Sequence, residues 1–83
     1  MRTLIIDCSG FPLEHAAYIT DETGHIYQTA HLPTAEIAGY ANNSNVDKIY
    51  LQGPTDYCIG IQEEVQTELA LEYANNNIRV EIL

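Results

Sequence analysis

An 83-residue chain that is 46% hydrophobic has the composition of one folded domain rather than a disordered segment. A chain this short buries about 60–65% of the surface its unfolded form exposes, so its core is thin. The formal net charge is −9, with three Lys and Arg against twelve Asp and Glu. That balance disfavours direct binding to DNA or RNA, where basic side chains must replace the counterions along the phosphates.

Thr3 to Cys8 predicts a buried strand, because Leu4, Ile5 and Ile6 run together without polar alternation. Ser9-Gly10-Phe11-Pro12 breaks it. His15 to Thr20 alternates weakly, with Ala16 and Tyr18 on one face and Ala17 and Ile19 on the other. Asp21-Glu22-Thr23-Gly24 predicts a tight turn closed by Gly24, and His25 to His31 is the returning strand, with Ile26, Gln28 and Ala30 opposite Tyr27 and Thr29. Pro33 and Thr34 open a helix running to Asn42, followed by an Asn-Ser loop. Lys48 to Gln52 is a second buried strand, and Gly53-Pro54-Thr55-Asp56 reads as a loop. Ile61, Val65, Leu69 and Tyr73 recur at i+4 spacing and mark an amphipathic helix beginning near Ile61. Asn75-Asn76-Asn77 ends it, and Arg79 to Leu83 is a last strand.

The order β-β-β-α-β-α-β constrains assembly through the right-handedness of parallel crossovers. The first three strands form an antiparallel meander. The two helical crossovers then place strand four parallel to strand one, and strand five parallel to strand four. The expected fold is α/β, a mixed five-stranded sheet of order 3-2-1-4-5 in which only strand two is antiparallel. Strands one and four, the most apolar, take central positions.

The sequence opens with Met1 and shows no basic n-region, no apolar h-region and no transmembrane run, so the expectation is a cytoplasmic protein without membrane contact. Cys8 and Cys58 are then expected to be free thiols. Together with His15, His25 or His31 they could bind zinc, but no C-x-x-C spacing supports it. His25 and His31 are expected on a half-exposed strand with ordinary surface roles. Most of the six tyrosines should pack with the hydroxyl outward.

Two stretches carry a resemblance. Residues 6–10 read IDCSG, an acid at the end of strand one followed by a glycine turn. Residues 49–57 read IYLQGPTDY, a strand ending in a glycine-proline loop, and the helical EEVQTELALEYA follows at 63–74. With the element order, these resemble the ribonuclease H-like superfamily, closest to a minimal RuvC/YqgF-type domain. The strand-one motif also resembles the first phosphate loop of actin-like ATPases, which need a second large domain to close over nucleotide. The ribonuclease H-like resemblance implies a nuclease or resolvase in which carboxylates hold two Mg²⁺ or Mn²⁺ ions that clamp a phosphodiester. Asp7 would be the first metal ligand. RuvC-like members place a Glu near the end of strand four, where this chain has Gln52. Their remaining ligands come from a helix beyond strand five, and this sequence ends at Leu83.

Open α/β sheets bind ligands at the carboxyl ends of their strands. Asp7, Glu36 in the first turn of the first helix, and Asp56 in the loop after strand four are the candidate catalytic residues expected to converge there. Ser9, Gly10, Gly53, Thr55 and Tyr57 are the candidate ligand contacts. The competing readings are local: Glu36 and Asp56 favour helix starts through the dipole, and Asp7 accepts backbone N–H groups from its own turn. The incomplete acid set and the acidic charge favour a non-catalytic module without a cofactor, acting by protein–protein contact or self-association. The alternative is a minimal metal-dependent nuclease, using Mg²⁺ or Mn²⁺, that completes its site with a partner. A small separate protein of this kind suits a phage or mobile element. Leu71, opposite the apolar stripe of the second helix, is the candidate intersubunit contact.

Overall fold

The computed structural model describes residues 2–9 and 14–83. Its elements are β1 (Thr3–Asp7), β2 (His15–Thr20), β3 (Ile26–Leu32), α1 (Thr34–Asn43), β4 (Lys48–Gln52), α2 (Thr55–Leu71) and β5 (Arg79–Ile82). Gly10, Phe11 and Pro12 of the expected break lie outside the described residues. The five strands form one mixed sheet in the order β3-β2-β1-β4-β5. β1 and β4 pair in parallel from Thr3 with Lys48 to Asp7 with Gln52, and β5 is parallel to β4. β2 is antiparallel to both its neighbours.

Asp21 builds the β2–β3 turn from its own side chain. Its Oδ1 accepts the Thr23 N–H at 2.8 Å, the Thr23 hydroxyl at 2.7 Å and the His25 N–H at 2.9 Å, and its Oδ2 accepts the Tyr27 hydroxyl at 2.8 Å. An Asp at the first position of a turn commonly bonds the backbone two residues on. Here the hydroxyls of Thr23 and Tyr27, then the backbone N–H groups, hold its carboxyl far below the ordinary range. Gly24 closes the turn at φ +88°. Beyond it β3 departs from simple alternation. Tyr18 pairs with Gln28 but Ala17 pairs with Ala30, so the register shifts across Thr29. A bulge of this kind adds one residue to one strand and inverts the phase of everything beyond it.

α1 and α2 pack against each other and against one face of the sheet. That face and the two helices supply a single core that includes Leu4, Ile6, Ala17, Ile49, Leu51 and Val80 from the sheet, with Ile37, Ala41, Val65 and Leu69 from the helices. β1 and β4 therefore alternate after all. Leu4, Ile6, Ile49 and Leu51 are buried, while Ile5, Asp7, Lys48 and Tyr50 between them are only half-buried. Both strands are central, as expected, but they are buried on one face only: both crossovers place their helices on the same side, and among the described residues no helix covers the other.

The second helix also starts earlier than the i+4 stripe suggests. α2 begins at Thr55, directly after Pro54, with Asp56 in its first turn, so Asp56 and Tyr57 are helical and not in a loop. Cys58, seven residues before Val65, is the first buried residue of the stripe. At the other end α2 stops at Leu71, and Tyr73 lies past the helix, partly exposed. Its hydroxyl lies 2.6 Å from where a Cβ on Gly39 of α1 would stand. Among the described residues no helix is long and apolar enough to cross a membrane.

Leu71 is 80% exposed, opposite the buried stripe of α2 as the periodicity predicts. Its surroundings are acidic. Neither helix contains a Lys or Arg, and Glu64, Glu68 and Glu72 follow one another at four-residue spacing. Burial, then the charges of Glu64 and Glu72, raise the pKa of Glu68. Each like-charged i,i+4 pair costs a few tenths of a kcal/mol, and reversing the middle charge turns two repulsions into two attractions. Glu68→Lys is expected to stabilise the fold by about 1–2 kcal/mol. Thermal melting at low ionic strength reads the gain, which should shrink in molar salt.

Candidate functional site

The carboxyl ends of β1 and β4 meet at one edge of the sheet, and both helices begin beside it. β1 continues one residue past its last ladder pair, where the Cys8 N–H donates to the Gln52 carbonyl at 2.7 Å. This keeps Asp7 directly beside Gln52. The Asp7 carboxylate is engaged by its own turn. Its Oδ1 accepts the Ser9 N–H at 2.9 Å and a short bond from the Ser9 hydroxyl. The hydroxyl, then the N–H, holds the Asp7 carboxyl below its ordinary value, with a smaller contribution from His15. This is the local Asx-type pattern that competes with a ligand role.

Gly53 closes the same edge. It sits at φ +135°, and a Cβ there would lie 3.0 Å from both the Cys8 carbonyl carbon and the Ser9 nitrogen. The two strand-end loops thus touch backbone to backbone, and Gly53 serves that contact. Of the other candidate ligand contacts, Ser9 caps Asp7, Thr55 is the exposed first residue of α2, and Tyr57 is exposed in the same first turn. Gly10 lies outside the described residues.

Beneath this edge is an open cavity of about 440 Å³ lined by Cys8, His15, Thr34, Asp56, Tyr57 and Glu64, among others. His15 is its least anticipated member. It is 3% exposed, and its Nε2 lies 2.9 Å from the Thr34 Oγ1 at the start of α1. Among the described residues its Nδ1 makes no hydrogen bond of good geometry. Burial lowers the His15 pKa, while the charge and the backbone carbonyl of Asp7 pull it the other way. The signal for His15 was available: it stands at even spacing before the buried Ala17 and Ile19, so period two places it on the core face. His25 and His31, by contrast, are exposed.

Cys8 and Cys58 are neighbours, and both are buried and free, as expected. Desolvation, then the adjacent Cys58 sulfur, pushes the Cys8 thiol up to about 12. A thiol held protonated is neither a nucleophile nor a ready metal ligand at neutral pH.

The three candidate acids do not form one centre. Asp56 lines the cavity with Cys8 and His15. Glu36 lines a separate groove over the outer side of α1, with Gly39, Tyr40 and Tyr73. Asp7 is turned into its Ser9 cap. Among the described residues no group of three or more His, Cys, Asp and Glu side chains is placed to hold a metal ion. The residues present therefore do not fit the two-ion centre that the resemblance implies, since such a centre needs several anions around one point and the sheet partners of Asp7 are the neutral Ala16 and Gln52.

Among the described residues the fold is a mixed α/β sheet of five strands with two helices on one face. In comparisons with known proteins, no family model, no curated protein and no solved structure matches the chain.

Proposed function

We propose that the chain is a non-catalytic ribonuclease H-like module that acts through protein–protein contact. The observation that carries this reading is the dispersal of the acids: Asp7, Glu36 and Asp56 serve a turn cap, an outer groove and a separate cavity. The β-β-β-α-β-α-β order, with a parallel pairing of the acid-ending strand and β4, supports the fold assignment. The net charge of −9 supports a protein partner over nucleic acid.

The test is thermal melting of the wild type and Asp7→Asn, each with and without Mg²⁺ or Mn²⁺. As a structural acceptor, Asp7 loses a charge-assisted bond when replaced by Asn, at a cost of about 1–2 kcal/mol. Neither protein should respond to the ions. In the metal-dependent nuclease reading the carboxylates repel one another without ions, so Asn would relieve strain and stabilise the ion-free fold. A wild-type melting point that rises with either ion, together with an Asn variant that ignores it, overturns the proposal in favour of that reading.

A further inference from the structure

The cavity at the carboxyl edge carries negative charge at its two ends and an apolar wall between them. Asp56, Gly60 and Glu64 follow one another at four-residue spacing along α2, with Tyr57 and Ile61 beside them, and all five line the cavity. Eight residues of helix separate the two carboxylates by about 12 Å along the axis. Nothing in the lining offsets their charge. Every Lys and Arg of the chain stands toward the opposite edge of the sheet: Arg2 just before β1, Lys48 at the start of β4 and Arg79 at the start of β5. Among the described residues the one ion pair is Lys48 with Glu81, and no side chain donates a hydrogen bond to Asp56 or Glu64. Burial favours the neutral ring of His15 and the protonated thiol of Cys8, the two titratable groups of the floor.

Gly60 stands midway between the carboxylates without a packing reason of its own. A glycine inside a helix costs stability. Gly39 of α1 has cause to be small, because the Tyr73 hydroxyl lies 2.6 Å from where its Cβ would stand. Around Gly60 nothing lies within 4 Å of an added Cβ. The missing side chain leaves bare helix backbone at the centre of the cavity wall.

We propose that this cavity binds a linear aliphatic polyamine, with one ammonium at Asp56, another at Glu64, and the methylene chain laid across Gly60 between Tyr57 and Ile61. The inference goes beyond the protein-contact reading and does not depend on it. Charged ends joined by an apolar stem match the wall in order and in sign. Tyr57, next to Asp56, offers an aromatic ring to the ammonium there. A single metal ion does not match, since carboxylates about 12 Å apart on the helix axis cannot share one. The cavity volume of about 440 Å³ lies within the range of small-molecule sites. Both carboxylates are exposed, so each contact is weak, and Kd should be about 0.1–1 mM.

A ¹⁵N–¹H NMR titration with spermidine, in about 0.15 M salt to screen diffuse attraction, reads position and affinity together. The amides of residues 56–64 and of His15 should shift and saturate. Putrescine, too short to reach both carboxylates, should bind several fold more weakly. Glu64→Gln should weaken spermidine several fold. Glu63→Gln removes the same charge from an exposed neighbour outside the lining and should leave Kd unchanged. Gly60→Leu should raise the melting point, because leucine favours helix, and should abolish the shifts by filling the cavity. Shifts that grow without saturation and spread over the acidic surface show charge attraction only and overturn the proposal. Equal losses in Glu63→Gln and Glu64→Gln overturn it too, as does a Gly60→Leu variant that binds like the wild type. None of these results touches the protein-contact reading, which stands or falls on the Mg²⁺ and Mn²⁺ melting experiment.

Discussion

Replacing Gly53 with Ala is expected to cost about 3 kcal/mol, close to the most that a single strained backbone position costs. At φ +135° an L residue is strained wherever space allows, and here space is also missing. The new Cβ would stand 3.0 Å from the Cys8 carbonyl carbon and the Ser9 nitrogen, and 3.3 Å from the Cys8 Cβ. These neighbours are backbone or near-backbone atoms at the end of β1, anchored by the 2.7 Å bond from the Cys8 N–H to the Gln52 carbonyl. No rotamer change relieves the contact, so either the loop after β4 or the turn carrying Ser9 must move. Gly24→Ala is the internal control. Gly24 has φ +88° with nothing within 4 Å of the added Cβ, so only the left-handed penalty of about 1–2 kcal/mol applies. For a domain of this size each kcal/mol is worth about 4–8 °C in Tm. Gly53→Ala should therefore melt about 12–24 °C below the wild type and well below Gly24→Ala. Equal losses in the two variants would mean that the strand-end loops do not touch.

The elements were legible because hydrophobic runs and turn residues mark them locally. Thr3 to Asp7 and Lys48 to Gln52 announce strands by composition, and Asp21 to Gly24 announces a turn by chemistry. What the composition hides is the side on which a helix packs. A run such as Leu4-Ile5-Ile6 looks the same whether one face or both are covered, and only the placement of α1 and α2 on a common face exposes Ile5. The start of α2 was obscured because Gly53-Pro54 reads as a loop that continues, although proline just before a helix is also a start signal. The dispersal of the acids was half legible. The D-x-S spacing of Asp7 and Ser9 favours a local cap. The buried Ile37, Ala38 and Ala41 fix the helical phase of α1 and turn Glu36 away from the sheet. Convergence at the carboxyl edge is a property of elements, and a side chain on an element reaches the edge only when its phase agrees.

The fold is expected to lose stability as the pH falls from 6.5 to 5, and His15 is the cause. The neutral ring places Nε2 against the Thr34 hydroxyl, and among the described residues Nδ1 makes no hydrogen bond of good geometry. Protonation charges a ring that is buried, and a charge taken out of water is costly. Burial therefore lowers the pKa below the ordinary 6.5, against the opposing charge and carbonyl of Asp7. The unfolded chain then binds the proton more readily than the folded one. The His15 contribution is complete above 6.5 and is lost as the pH drops through the lower folded value. One proton bounds the slope at about 1.4 kcal/mol per pH unit. The carboxylates report elsewhere: Asp7 and Asp21, both depressed, withdraw their contributions only below the ordinary 3.8. Glu68, raised from 4.5, acts in the opposite sense, becoming less unfavourable as the solution turns acidic. His25 and His31 are exposed and lie away from the cavity. Urea denaturation between about pH 5 and 7.5, the range in which histidine titrates, should show the slope in the wild type and a flat profile in His15→Gln. A wild type that gains stability toward pH 5 would show that the attraction of Asp7 outweighs the burial of the ring, and that the cavity holds a charged imidazole.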